Sequence, residues 1–584
     1  MINILPTPKN IIEKEGAFHI GSCDVAVIGQ HDIRVVRAAV KLRDALTVKT
    51  GVFHKFYRAQ DVIQQAICIR EDATLPKEGY SLEIKQDGIE LIGGDAAGCF
   101  YGIQTLLQLL DSAEDSLVCV SIQDKPDMEH RGFYHDATRG RIPSLEGMKQ
   151  IVDMLARFKI NSFQLYVEHS FDFAEFSNEH RTEEEQLTAQ EILEIDEYCY
   201  NNFIDFIPSL STFGHLYELL MKEEYQHLCE LENFEPEWHF WRERMSHHTI
   251  DATNPESIQV VCSLIDQYLP LFRSQYFNIC CDETFDLAKG RNAGKDSAQL
   301  YIGFVSQVAK YVSDAGKTVM MWGDIALEHP ELLPQIPKDV VLLNWNYDAE
   351  PVLENIVQVG KQSLKQIVCP GTNSWRALFE IPSISVPNIT KMLRTGYENN
   401  AIGALNTNWG DYGHAAHFEC ALYGTVLGAC LSWNIKAEVN EDFDSLVSSI
   451  VYGTNKNVVK LIKELGDLQL TARWGEVFEW QKLRTKDCFY SEENAMETSV
   501  TRCREIQKEL MDIEGNQEIL KPVLVAAEGI ELFNMAALQI KRSGDTSEEL
   551  KESFVRWLKG YKDCWLRTNK QSELVEIEKF IQNM

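Results

Sequence analysis

Residues 276–284 read Tyr276-Phe277-Asn278-Ile279-Cys280-Cys281-Asp282-Glu283-Thr284. The first part is a short, mostly apolar run, the pattern of a buried strand. The last part carries two adjacent carboxylates. Neighbouring side chains in a pleated strand point to opposite faces, so both acids cannot stay inside the pleat. Where the strand opens into a loop, both can face one cavity. Each then raises the other's cost of ionisation, and one can hold a proton while its neighbour stays charged. Such a pair is equipped to cleave a glycosidic bond. An isolated Asp-Glu pair is ordinarily just the acidic start of a loop, so the weight falls on what surrounds it.

Working outward, a strand–loop–helix unit recurs about eight times from about 130 to 435. Its strands are expected at 132–136, 161–168, 203–210, 276–281, 318–322, 340–345, 366–370 and 402–406. Ser144 can cap a helix whose apolar face is Met148, Ile151, Val152, Leu155 and Phe158. The insert from 215 to 270 reads as a loop with short helices. An open doubly wound sheet would carry a Gly-rich phosphate turn after its first strand, and Thr138-Arg139-Gly140-Arg141 does not match one.

Ahead of this region, Tyr80, Leu82 and Ile84 alternate, Asp87-Gly88 makes a hairpin turn, and Ile89 and Leu91 resume the alternation. Residues 98–110 read as a helix. After 455 helices dominate, with Phe554, Trp557, Leu558, Tyr561 and Trp565 forming a core stripe. The expected fold class is therefore α/β: a small α/β domain over 1–125, a (β/α)₈ barrel over 126–445, and a helical region over 446–584. The tail either forms a homodimer interface or packs on the barrel.

The chain has 584 residues, 45% of them hydrophobic, and a net charge of −32. It lacks the Lys/Arg clusters that nucleic acid and anionic membrane surfaces reward, so neither is an expected partner. Its 15 cysteines show no repeated zinc spacing, and scattered thiols in core-like segments suggest a reducing compartment. The first residues show no basic-then-apolar leader, and no stretch reads as a membrane span, so a cytoplasmic protein is expected. No metal or cofactor is expected.

Barrel enzymes build their sites where strands end. Those positions carry Asp136, Glu168-His169, Ser211 with Gly214-His215, Asp282-Glu283, Trp322-Gly323-Asp324, Trp345-Asn346-Tyr347, Trp375-Arg376 and Trp409-Gly410-Asp411. Four of the 11 tryptophans fall there. A lone Trp at a strand end is ordinary packing. Four at one mouth, each beside Asp, Asn, Arg or Tyr, suit a pocket that stacks sugar faces on rings and reads hydroxyls with carboxylates.

At this point the chain resembles glycoside hydrolase family 20, the β-N-acetylhexosaminidases. The resemblance is carried by Glu78-Gly79-Tyr80-Ser81-Leu82 with the helix Gly98-Cys99-Phe100-Tyr101-Gly102, by His130-Arg131-Gly132-Phe133-Tyr134-His135-Asp136, by Asp282-Glu283, and by Trp409-Gly410-Asp411. It implies exo-acting removal of terminal β-linked GlcNAc or GalNAc, in which the substrate's own 2-acetamido oxygen attacks the anomeric carbon. That departs from the two-carboxylate scheme.

By the same resemblance, Glu283 is the general acid and then the base, and Asp282 orients the acetamido N–H. Arg131 holds the 3- and 4-hydroxyls, and Asp411 binds the 4- and 6-hydroxyls. Trp322, Trp375 and Trp409 wall the sugar, Tyr347 contacts the acetamido oxygen, and His215 belongs to the network behind the acid. Glu168, Asp324 and Trp345 complete the candidate set. The chain departs from the family pattern at Glu168-His169, at Arg139-Gly140-Arg141 and in its helical tail. Alternatives are another 2-acetamido glycosidase, lacto-N-biosidase-like or trimming GlcNAc from proteins, and a catalytically silent sugar-binding protein.

Overall fold

The computed structural model describes residues 2–179, 182–233, 235–246 and 248–584. Seven strands come first: β1 (Asn10–His19), β2 (Asp24–Ile28), β3 (Phe56–Ala59), β4 (Ala66–Glu71), β5 (Tyr80–Lys85), β6 (Gly88–Gly93) and β7 (Ser116–Asp124). They form one mixed sheet in the order β1-β7-β5-β6-β4-β2-β3. The hairpin read at Asp87-Gly88 joins β5 to β6, with Leu82 opposite Leu91 and Ile84 opposite Ile89.

The helix Ala96–Ser112 lies on this sheet, capped by Asp95, whose side chain accepts from the Gly98 amide. A Cβ on Gly98 would sit 2.2 Å from the Gly79 carbonyl oxygen. The two glycine-bearing motifs of the sequence are therefore two sides of one close approach.

The next eight strands are β8 (His130–Asp136), β9 (Ser162–Val167), β10 (Asp205–Leu210), β11 (Tyr276–Asn278), β12 (Thr318–Trp322), β13 (Val341–Trp345), β14 (Lys365–Cys369) and β15 (Gly403–Asn408). They close into a parallel barrel in which β15 pairs with β8. Each expected barrel strand is present, although β11 stops at Asn278, three residues short of its expected end. The helix Leu145–Arg157 is capped by Ser144 and buries Met148, Ile151, Val152 and Leu155; a cap of this kind contributes about 1 kcal/mol. The insert after β10 holds two short helices, Tyr217–Leu220 and Phe240–Arg244, and then the longer Pro255–Tyr268.

Seven helices end the chain, beginning with Glu441–Ile450. The stripe Phe554, Trp557, Leu558, Tyr561 and Trp565 is buried in the core of this region. Gln517–Ser543 has the length and apolar composition of a membrane span, yet it packs between the helices Glu493–Met511 and Glu548–Thr568. The tail also docks on the barrel: Ser144 N donates to Thr568 O and Lys570 N to Ile142 O.

Arg131 overturns one expectation. It is the second residue of β8, at the end of the barrel opposite the strand C-termini, and it is 0% exposed. Its guanidinium pairs with Glu78 at 2.8 Å and donates to Lys159 O at 2.9 Å and to the Tyr101 hydroxyl at 3.0 Å. It therefore ties the small domain to the barrel floor and does not reach the mouth. Beside it, Lys159 is buried against Tyr80, Asp124 and Trp433, and burial brings its ammonium down to about 8. Arg131→Ala is expected to lower unfolding stability by about 3–5 kcal/mol, because it leaves the buried polar groups it serves without a partner. Denaturant titration measures the loss, and substrate affinity at the mouth is expected to stay unchanged.

Candidate active site

At the mouth, the chain after β11 leaves strand geometry at once. Cys280, Cys281 and Glu283 all have left-handed backbones, with φ of 56°, 67° and 48°. This breaks the pleat alternation and turns both acids onto one cavity. Strained, left-handed non-glycine residues of this kind persist only where the surroundings hold them. Here the His215 loop supplies part of the hold. A Cβ on Gly214 would lie 2.5 Å from the Asp282 carbonyl oxygen, so only glycine lets the loop after β10 press so closely on the pair.

His215 Nε2 lies 3.2 Å from Asp282 Oδ2 and 3.4 Å from Glu283 Oε2. Burial works against a charged imidazole, but the charge of Asp282 and hydrogen bonds to both acids outweigh it, and His215 is raised to about 10. One imidazolium thus serves two carboxylates. On its other side, Nδ1 is 3.7 Å from Glu168 Oε1 and 3.3 Å from an Arg139 nitrogen. Burial alone would push Glu168 up, yet His169, Arg139 and His215 bring it down to about 2. His215, Asp282 and Glu283 offer ligand atoms within 4.8 Å of one another, so a cation bound there would compete with the proton His215 carries.

Arg139 is the functional residue that sequence reasoning missed. It sits three residues beyond Asp136, the last residue of β8, and its guanidinium is 3.2 Å from Asp136 and 3.2 Å from Asp411. It packs over the rings of Tyr166 and Trp409. Asp136 fixes the strap by accepting from the amides of Thr138, Arg139 and Gly410. Strand direction was the available signal: an arginine after a strand's end faces the mouth, and one at its start faces the floor.

The remaining candidates converge as follows. Asp324, just after β12, accepts from the Glu283 amide at 2.9 Å. Burial and the nearby charge of Asp282 raise it to about 8, against the opposing amide bond. Asp411 is pushed up to about 6 by burial, with Arg139 opposing. Trp322, Trp345, Tyr347, Trp375 and Trp409 wall a cavity of about 140 Å³ that also borders Arg139, Asp282, Glu283 and Asp411. Tyr347 and Trp345 are stacked at 5.1 Å, and the Tyr347 hydroxyl accepts from Trp409 Nε1 at 2.8 Å. Met245, from the insert after β10, also lines the cavity.

Asp282 Oδ1 is buried and has no hydrogen-bond donor among the described residues. Larger hollows exist, including one of about 720 Å³ between the small domain and the helical tail. There Asp111 and Arg157 already pair with each other.

A closed parallel barrel preceded by a small mixed-sheet domain finds its counterpart among known proteins. Residues 1–125 match the model of glycosyl hydrolase family 20, domain 2, and residues 128–375 match that family's catalytic domain. The chain belongs to glycosyl hydrolase family 20. It is 27% identical over 360 residues to a β-hexosaminidase of Porphyromonas gingivalis, spanning 56% of this chain and 45% of that protein. It is 25% identical over 352 residues to a lacto-N-biosidase of Bifidobacterium bifidum, spanning 58% of this chain and 28% of that one. The chain thus spans less than half the length of these curated relatives. Its fold matches the solved chitobiase of Flavobacterium johnsoniae with a TM-score of 0.64 and 18% identity, covering 95% of this chain and 96% of that one.

The titrations give a signed prediction. Asp324 takes up a proton on folding between its ordinary 3.8 and about 8, so stability falls as pH rises through that window. The ion pairs of His215 contribute fully below its ordinary 6.5 and are lost by about 10. Both terms lower stability above neutrality. The melting temperature is expected to fall from about pH 6 to about pH 9. Asp324→Asn, which keeps an acceptor for the Glu283 amide, is expected to flatten the part of that slope below pH 8; scanning calorimetry across pH measures both.

Proposed function

We propose that this protein is an exo-acting β-N-acetylhexosaminidase that releases terminal, non-reducing β-linked GlcNAc or GalNAc by substrate-assisted, retaining catalysis. The observation that carries this reading is the placement of Asp282 and Glu283 side by side on one imidazolium. Two acids so held cannot attack a sugar from one face and protonate its leaving group from the other, as the two-carboxylate scheme requires. They can serve a leaving oxygen and a neighbouring amide.

Glu283 is the more accessible of the two, its side chain 24% exposed against 9% for Asp282, and it is the general acid and later the base for water. Asp282, with one buried oxygen that has no donor among the described residues, accepts from the acetamido N–H. Its charge stabilises the oxazolinium as the acetamido oxygen closes on the anomeric carbon. Arg139 and Asp411, joined at 3.2 Å, read hydroxyls in place of the role first given to Arg131. Trp322, Trp375 and Trp409 wall the ring, and Tyr347 takes the acetamido oxygen. The cavity, about 140 Å³, falls below the range of pockets for larger ligands, which favours one sugar unit over the disaccharide of a lacto-N-biosidase.

All 15 cysteines are free thiols, nearly all of them buried, which supports a reducing compartment such as the cytoplasm.

Glu283→Gln is expected to lower kcat on an aryl β-GlcNAc glycoside by about 10²–10⁴, the usual value of general acid–base catalysis. Its circular dichroism should match the wild type. Proton NMR of early product should show the β-anomer first. Normal turnover by the variant, or an inverted anomer, would sink the mechanism, and tight GlcNAc binding without hydrolysis by the wild type would mark a sugar-binding protein.

A further inference from the structure

Three of the pocket's side chains come from three different loops: Arg139 after β8, Met245 in the insert after β10, and Asp411 after β15. Behind the pocket these loops meet in one stack. A Cβ on Gly140 would lie 2.7 Å from Gly413 Cα, and a Cβ on Gly413 would lie 2.6 Å from the Trp241 ring. Gly140, with φ of +116°, adjoins Arg139; Gly413, with φ of +92°, follows Asp411 by two residues. Trp241 is the second residue of the short helix Phe240–Arg244, whose C-cap is Met245.

One residue of the helical tail fastens this stack. Glu573 accepts from Trp241 Nε1 at 2.6 Å through one oxygen and from Arg244 at 2.6 Å through the other. Its backbone amide donates to the Gly140 carbonyl at 3.1 Å. Trp241 and Arg244 are buried while the Glu573 side chain is 22% exposed; the bonds are charge-assisted, the stronger kind, and Arg244 also pairs with Glu218 at 2.8 Å.

We infer that Glu573 is a positioning residue for the pocket: from the helical tail it pins the stacked loops that carry Arg139, Met245 and Asp411. The tail is then part of the apparatus that holds the sugar. This rests on the functional reading above only where sugar affinity is concerned. Groups that position a substrate must be held to within a fraction of an ångström, and slack behind them weakens binding before it abolishes chemistry. Asp282 and Glu283 belong to the loop after β11 and make none of these contacts, whereas His215 stands at the start of the same insert that carries Trp241 and Met245.

The test uses the full chain with Glu573→Ala, Glu573→Gln and Trp241→Phe. Hydrogen exchange is followed by mass spectrometry, and kcat and KM are measured on an aryl β-GlcNAc glycoside. Glu573→Ala is expected to speed exchange in both 240–245 and 410–414 and to raise KM about tenfold, with kcat falling less than about threefold. Glu573→Gln keeps an acceptor for Trp241 and should fall between it and the wild type. Trp241→Phe loses the donor and also the far edge of the ring that faces Gly413, and it should raise KM in the same direction if the alanine variant fails to fold. A variant with a lowered melting temperature but unchanged KM, or unchanged exchange in either segment, would overturn the proposal. An inactive wild type would instead overturn the functional reading, and the exchange rates would still decide whether Glu573 pins the loops.

Discussion

A single buried imidazolium, His215, between two carboxylates is the constraint on which the mouth of this barrel depends. It lets Asp282 and Glu283 lie next to each other without driving both apart, and it stands on a left-handed residue of its own, φ 60°. Behind it Glu168 and Arg139 complete an alternation of charge that reaches across the pocket to Asp411. Acids still outnumber cations there, and burial, with neighbouring acids adding to it, raises the carboxyls of Asp324 and Asp411 well above their ordinary range. A site with that bias is built to meet positive charge. Under the function proposed above, the sugar ring develops such charge as a glycosidic bond breaks, in a setting where few water dipoles compete with the protein's own.

Much of the architecture was legible because its signals are periodic. The eight barrel strands are short, strand-like runs with helical patterns between most of them, and the small domain's hairpin is marked by Asp87-Gly88. The strand ends then located the aromatic wall without any coordinates. The acid pair was legible too, through the argument that adjacent residues share a face only where a strand stops. Its structural realisation, an early stop at Asn278 followed by left-handed thiols, was not, since Cys280 and Cys281 carry no turn signal. The arginine was misplaced because a motif match was allowed to override chain direction. Arg131 begins a strand and Arg139 follows its end, and the two lie at opposite ends of the barrel. The protonated state of Asp324 was also invisible in sequence, because it comes from burial and from a neighbour 42 residues away.

The family assignment and the geometry contribute different things. The catalytic-domain match ends at residue 375, before β15, yet Trp409 and Asp411 close the pocket from that strand's end. Barrel closure, with β15 hydrogen-bonded to β8, places them beside Arg139. The helical tail is likewise built into the same face through Glu573 and through Trp474, whose indole donates to Tyr412 O.

The floor of the barrel has a separate consequence. Two cations, Arg131 and Lys159, lie there at 0% exposure, and the groups that neutralise them, Glu78 and Asp124, belong to the preceding small domain. A barrel cut free at residue 126 would keep both positive charges and lose both counterions. The sheet and the barrel are therefore a single heritable unit, and a gene fusion or domain swap that separated them would have to rebuild the junction before either half could be reused.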